Sequence, residues 1–111
     1  MKVWHRAVEL SNHIDSIVLL KFPGRERFSL SSQLKKAADS VVLNIAEGST
    51  GQTIAEFKRF LNIPLRSAIE VVACLFLALK RKYVDDKEFK ELYDAYELLC
   101  KMITSLRDSM H

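Results

Sequence analysis

His5, Glu9 and His13 stand four residues apart, which places three metal-ligating side chains on one stripe of a helix. Three ligands on one straight helix point the same way and do not converge on one ion. They also fall opposite Trp4, Ala7, Ile14 and Val18, on the solvent side, so neither a metal nor a cofactor is expected. Gln33, Ser40, Asn44 and Glu47 form a second constellation, a polar row at heptad spacing beside Val41 and Ile45. Acid–base catalysis at Glu47 would need a histidine, a cysteine or a second carboxylate close by, and none lies near it in sequence. The row is expected to be structural, fixing register or partner choice, because an unpaired buried polar group is costly. A solvated helix edge would show the same pattern.

Basic residues cluster as Lys35-Lys36, as Lys58-Arg59 with Arg66, and as Lys80-Arg81-Lys82. The first two groups come together if their helices are antiparallel neighbours. Lys35, Lys36, Lys58, Arg59 and Arg66 are then candidates for contacts to the phosphates of RNA or DNA. Ordinary solvated lysines and helix C-terminal charges read the same way. Cys74 and Cys100 lie inside apolar helical patterns and read as buried free thiols. The sequence has no phosphate-binding loop, nucleophile elbow, Cys-x-x-Cys or Glu-x-x-His pair. Catalysis is not expected.

The elements that would position these residues are helices. Val3, Trp4, Ala7, Leu10, Ile14, Ile17 and Val18 repeat at three and four residues, predicting a first helix from about Lys2 to Phe22. Phe22-Pro23-Gly24 stops it. Ser29 is a good N-cap for a second helix running to Glu47, with Leu30, Leu34, Ala37, Ala38, Val41 and Ile45 on one face and Gly48 as the residue just past its end. Ser49 to Gln52 is a short link, so the second and third helices should be antiparallel. Thr53 to Glu56 fits a capping box, and the third helix is expected to continue to about Lys82, roughly 43 Å at 1.5 Å per residue. Pro64 lies inside it and predicts a kink, not a break. Asp85-Asp86-Lys87-Glu88 opens a fourth helix striped by Phe89, Leu92, Tyr93, Tyr96, Leu99, Ile103, Leu106 and Met110. The expected fold is all-α: one domain over residues 1–111, an antiparallel up-down four-helix bundle with a long, proline-kinked third helix.

Within the third helix, Val71 to Leu79 is apolar all round. A bundle helix buries one face, so this stretch calls for cover on a second side. A subunit interface through Val72, Phe76 and Leu77 would supply it; so would the chain's own loops. Nine residues are too few to span a membrane, which takes about 20, and no membrane partner is expected. With 17 Lys and Arg against 14 Asp and Glu the net charge is only +3. The distribution says more. Residues 51–82 hold six basic and two acidic residues, and residues 83–111 hold four and seven, so the last two helices differ in sign.

Phe22-Pro23, Glu26, Leu30, Gln33-Leu34, Asn44-Ile45-Ala46-Glu47-Gly48, Glu56-Phe57, Phe60-Leu61, Ser67 and Glu70 follow one another in an order that resembles a known family. It is the bacterial four-helix-bundle family named for proteins encoded in intervening sequences of 23S ribosomal RNA genes. The resemblance covers nearly the whole chain. It implies a cytoplasmic, non-enzymatic homo-oligomer, with a pentamer favoured because several members form five-membered rings. A distant relative, the accessory protein of diversity-generating retroelements, is a basic pentamer that binds nucleic acid and a reverse transcriptase. The resemblance singles out Gln33, Asn44, Glu47, Gly48, Ser67 and Glu70. The arginine usual after the Ala-Glu-Gly turn is missing, with Thr50-Gly51-Gln52 in its place, and Pro64 and Arg66 stand where small residues are usual. Two functions follow as expectations: a self-associating, nucleic-acid-associated accessory protein, or a protein-interaction and assembly module.

Overall fold

The computed structural model describes residues 1–51 and 53–110. Gln52, in the expected link, and His111 lie outside the described residues. The described residues form five α-helices and one 3-10 turn: α1 (Lys2–Lys21), the turn Gly24–Glu26, α2 (Leu30–Ser49), α3 (Ile54–Phe60), α4 (Asn62–Lys80) and α5 (Asp86–Ser109). Among the described residues there is no strand. The all-α reading holds, with α3 and α4 in place of the single third helix.

The core is built from the stripes the periodicity marks. Val3, Ala7, Leu10, Ile14 and Ile17 of α1 are buried, as are Leu30, Leu34, Ala37, Ala38, Val41 and Ile45 of α2. Ala68, Val71, Cys74, Leu75 and Ala78 of α4 close against Leu92, Tyr96, Leu99 and Ile103 of α5. Alanines and Ser67 on the facing stripes of α2 and α4 let these two backbones come close. α1 packs on α2 and α5, and α4 packs on α2 and α5, while no Cα atom of α1 comes within 8 Å of one in α4, nor one of α2 within 8 Å of one in α5. Contacting residues run in opposite directions along neighbours: Ser11 with Asp39 and Asp15 with Lys35 between α1 and α2, Asn62 with Arg107 and Phe76 with Phe89 between α4 and α5.

The long third helical segment is irregular at one residue, Leu61, between α3 and α4. Leu61 keeps right-handed geometry, φ −68° and ψ −15°. Pro64 cannot donate to the Phe60 carbonyl and its ring crowds that group, so the regular ladder is interrupted in the turn before the proline. By length and composition alone Ile54–Lys80 could cross a membrane, with a mean hydropathy of 1.7 over its best window. In the fold its apolar stripe is the bundle core.

The helix ends correct two further expectations. Ser29 precedes α2, yet its hydroxyl makes no cap; it donates to Glu26 Oε1 at 2.8 Å. Gly48 is not past the end of α2 but inside it, buried, with no positive φ. A Cβ there would lie 2.8 Å from Phe60 Cβ and 3.1 Å from Phe57 Cδ1, so the glycine lets α3 approach α2. Thr53 Oγ1 accepts the Glu56 N–H at 3.1 Å, and Asp85 with Glu88 forms a complete capping box on α5. α4 ends at Lys80, and Lys82 in the turn that follows has φ 65°. The Tyr83 N–H then reaches the Ala78 carbonyl and the Lys82 N–H the Leu79 carbonyl, satisfying carbonyls the helix end leaves open.

Candidate functional site

The polar residues of the α2–α4 seam divide into two kinds. Ser40 Oγ and Ser67 Oγ are 2.8 Å apart, and Asn44 Nδ2 donates to the Ser40 carbonyl at 2.9 Å and to its hydroxyl at 3.0 Å. These three tie α2 to α4, and Ser67 is buried. Gln33, Glu47 and Glu70 are exposed, and their side chains make no hydrogen bond or ion pair among the described residues. That half of the motif faces outward.

A carboxylate cluster that the sequence did not single out closes the opposite end of the bundle. Glu26 is buried at 7% exposure. Its Oε2 accepts the Tyr83 hydroxyl at 2.7 Å and Arg81 Nη1 at 2.9 Å, and its Oε1 accepts Ser29. The Tyr83 and Ser29 hydrogen bonds, with the Leu30 backbone N–H and the Arg81 charge, hold its pKa at about 2, below the usual 4.5. Arg25 donates to the Tyr83 hydroxyl at 3.1 Å, and Lys21 pairs with Glu88 beside it. The cluster joins the α1–α2 turn to the α4–α5 turn. Its partners Arg81 and Tyr83 lie more than fifty residues away, so no local pattern announces the cross-bundle contacts.

The five basic candidates do not form one patch. Lys35 is paired with Asp15 at 2.9 Å, and it lines the α1–α2 groove with Lys36. Lys58 Nζ donates to the Met110 carbonyl at 3.3 Å. Arg59 and Arg66 flank a separate hollow of about 250 Å³ with Phe60, Asn62 and Ile63, and neither has a partner among the described residues. Arg107 donates to Asn62 Oδ1 at 2.9 Å at the edge of this hollow. Of the third cluster, Arg81 is spent on Glu26, and Lys80 lies over the Phe76 ring at 5.3 Å.

Exposed apolar side chains stand on several helices. On α4 they include Ile63, Ile69, Phe76 and Leu77, with Ile69 at 68% and Phe76 at 48% exposure. Val72 is half-buried beside them, in a depression between α4 and α5. Phe76 packs on Phe89 at 6.1 Å, and Phe89 on Tyr93 at 5.9 Å, an aromatic chain that fixes this face. Leu19, Phe28 and Leu43 are exposed on α1 and α2 or just before it. Cys74 and Cys100 are free, and burial pushes both thiols up, away from the reactive thiolate. The serine–carboxylate contacts, Ser11 to Asp39 at 2.7 Å and Ser29 to Glu26, include no histidine. The arrangement offers surfaces for association more readily than a reacting centre.

A family model for the 23S rRNA-intervening sequence protein matches residues 1–105. Among solved structures, a protein of unknown function from the S23 ribosomal protein family of Bacteroides thetaiotaomicron superposes with a TM-score of 0.86. It is 23% identical, over 95% of this chain and 97% of that one, and the likeness concerns the fold. No curated protein matches the chain.

Proposed function

We propose, from the premise that this chain belongs to the 23S rRNA-intervening sequence protein family, that it is a non-enzymatic, self-assembling four-helix module. The observation that carries this reading is the exposed apolar face of α4. Ile63, Ile69, Phe76 and Leu77 stand on a helix whose other side already fills the core. Monomers rarely leave contiguous apolar patches in water, and a second subunit is the direct way to cover one. Five subunits is the number the resemblance favours. The free, unreactive cysteines suit a reducing cytoplasm. The reading needs no cofactor and no membrane. Replacing Ile69 and Phe76 with Glu tests it. The variant should keep its helical spectrum and lose its assembled mass; an unchanged mass would mean that α4 faces solvent.

Association with RNA or DNA is a second element of the reading, supported by Arg59 and Arg66. Two unpartnered guanidinium groups beside Phe60 suit a phosphate backbone, and repetition around an assembly would multiply a weak contact. Lys58 is the next cation on α3, whereas Lys35 and Lys36 lie in a different groove. Structured RNA and duplex DNA titrated at about 50 mM and about 150 mM salt would show binding that falls steeply with salt. Arg59→Glu with Arg66→Glu should abolish it. No binding at low salt with micromolar protein would leave a module whose partners are proteins.

A further inference from the structure

Arg59, Asn62 and Arg66 stand three and four residues apart, and Leu61 between the helices keeps right-handed geometry. The three therefore share one stripe across the α3–α4 junction. They line the hollow of about 250 Å³ with Phe60 and Ile63, and no carboxylate is among the lining residues. Arg107 fixes the amide of Asn62. A guanidinium only donates, so the amide oxygen must face Arg107, which it accepts at 2.9 Å, and the Nδ2 hydrogens are left to the hollow. The polar side-chain groups the hollow presents are thus two guanidinium groups and one amide, all of them donors.

Three carboxylates stand near this stripe, outside the hollow. Glu70, one turn past Arg66, makes no ion pair with it among the described residues. Glu56, one turn before Arg59, reaches towards the α2–α3 link, its Oε2 3.7 Å from where a Cβ on Gly51 would stand. Asp108 accepts Arg107 at 3.2 Å. Lys58, Arg59, Arg66 and Arg107 are the cations set against them, so the net charge of the region is small. What the hollow offers an anion is direct contact with a set of donors, not a long-range field.

The interior of a nucleic-acid strand presents a row of singly charged phosphates and is held by a row of cations. No such row leads away from the hollow: Lys58 donates to the Met110 carbonyl, and Lys35 and Lys36 lie in the α1–α2 groove. A phosphodiester leaves two oxygens free. A phosphomonoester leaves three and carries close to two charges at neutral pH, which matches two guanidinium groups and an amide in one place. Phe60 and Ile63 supply an apolar wall for the nucleoside beyond the phosphate. We propose that the hollow at the α3–α4 junction binds a phosphomonoester, either the terminal phosphate of a nucleic-acid strand or the phosphate of a free nucleotide. This rests on the nucleic-acid reading above and adds which phosphate is held.

Competition separates the two sources. Short single-stranded RNAs with a phosphate at the 5′ end, at the 3′ end or at neither compete with a dye-labelled strand for the protein at about 150 mM salt. A strand with a terminal phosphate should compete roughly tenfold better than the strand with none, the effect of one added charge-assisted contact. Arg59→Ala with Arg66→Ala should remove that difference. Both side chains are exposed, so the variant should keep the wild-type helical spectrum, and Arg66→Ala alone replaces it if it does not. Calorimetry with a nucleoside monophosphate against the nucleoside is the second arm. Binding of the monophosphate without binding of any strand would support the site and assign it to a free nucleotide, and the nucleic-acid reading would fall. Equal competition by all strands with no response to the monophosphate would overturn the site and leave nucleic-acid association standing. A preference that survives in the variant would also overturn it. No binding of strand or nucleotide would overturn both.

Discussion

Gly48→Ala tests how tightly α3 is seated on α2. Gly48 lies in the last turn of α2 with helical geometry, so alanine meets no backbone strain. Propensity alone would then stabilise the variant by about 0.5–1 kcal/mol. Sterics oppose this. The added Cβ would sit 2.8 Å from Phe60 Cβ and 3.1 Å from Phe57 Cδ1, against an unstrained carbon–carbon separation of about 3.5 Å or more. Phe60 Cβ is fixed to the backbone and cannot swing aside, so α3 must move by roughly 0.7 Å to relieve the contact. Overpacking of this kind costs about 1–3 kcal/mol. The net expectation is a loss of about 1 kcal/mol, a fall in Tm of roughly 4–8 °C for a domain of this size. Gly24→Ala is the control, since nothing lies within 4 Å of its added Cβ. Thermal melts followed by circular dichroism at one protein concentration compare the three. A Gly48→Ala protein that melts at or above wild type would show that α3 yields freely, and the steric account of Gly48 would be wrong.

Ser67→Ala should cost about 0.5–1.5 kcal/mol by removing the partner of Ser40, whereas Gln33→Ala and Glu47→Ala should stay within about 0.5 kcal/mol in a chemical denaturation series. Glu26 has its pKa lowered by folding, so its contribution is full above its unfolded value near 4.5 and disappears as the pH falls towards about 2. Melting temperatures of Glu26→Gln should accordingly lie below wild type at pH 7 and converge with it by pH 2; a constant gap would contradict the linkage. Lys82→Gly should raise Tm by several degrees, because a lysine at φ 65° pays about 1–2 kcal/mol that glycine does not.

The helices were legible because their burial obeys one period: Leu30, Leu34, Val41 and Ile45 can be read as a stripe without any partner in view. The helix ends were less so. Ser29 has the chemistry of a cap, but its hydroxyl is oriented to donate to the carboxylate three residues earlier and accepts no helix N–H. Pro64 marked the irregularity in the third segment but not its place, since the crowded carbonyl belongs to the turn before. In the polar row, residue type foretold bonding for Asn44, whereas Gln33 and Glu47, at other levels of the same helix, face outward. Lys35 and Arg59 looked alike in sequence. Asp15, reached only through the α1–α2 packing, is what sets them apart.

If the chain works as an assembly, its mass in solution shows it. Light scattering coupled to size exclusion, at tens of micromolar wild-type protein, should give a single species several times 12.7 kDa, with five-fold the favoured multiple. A single 12.7 kDa species under those conditions would contradict the account.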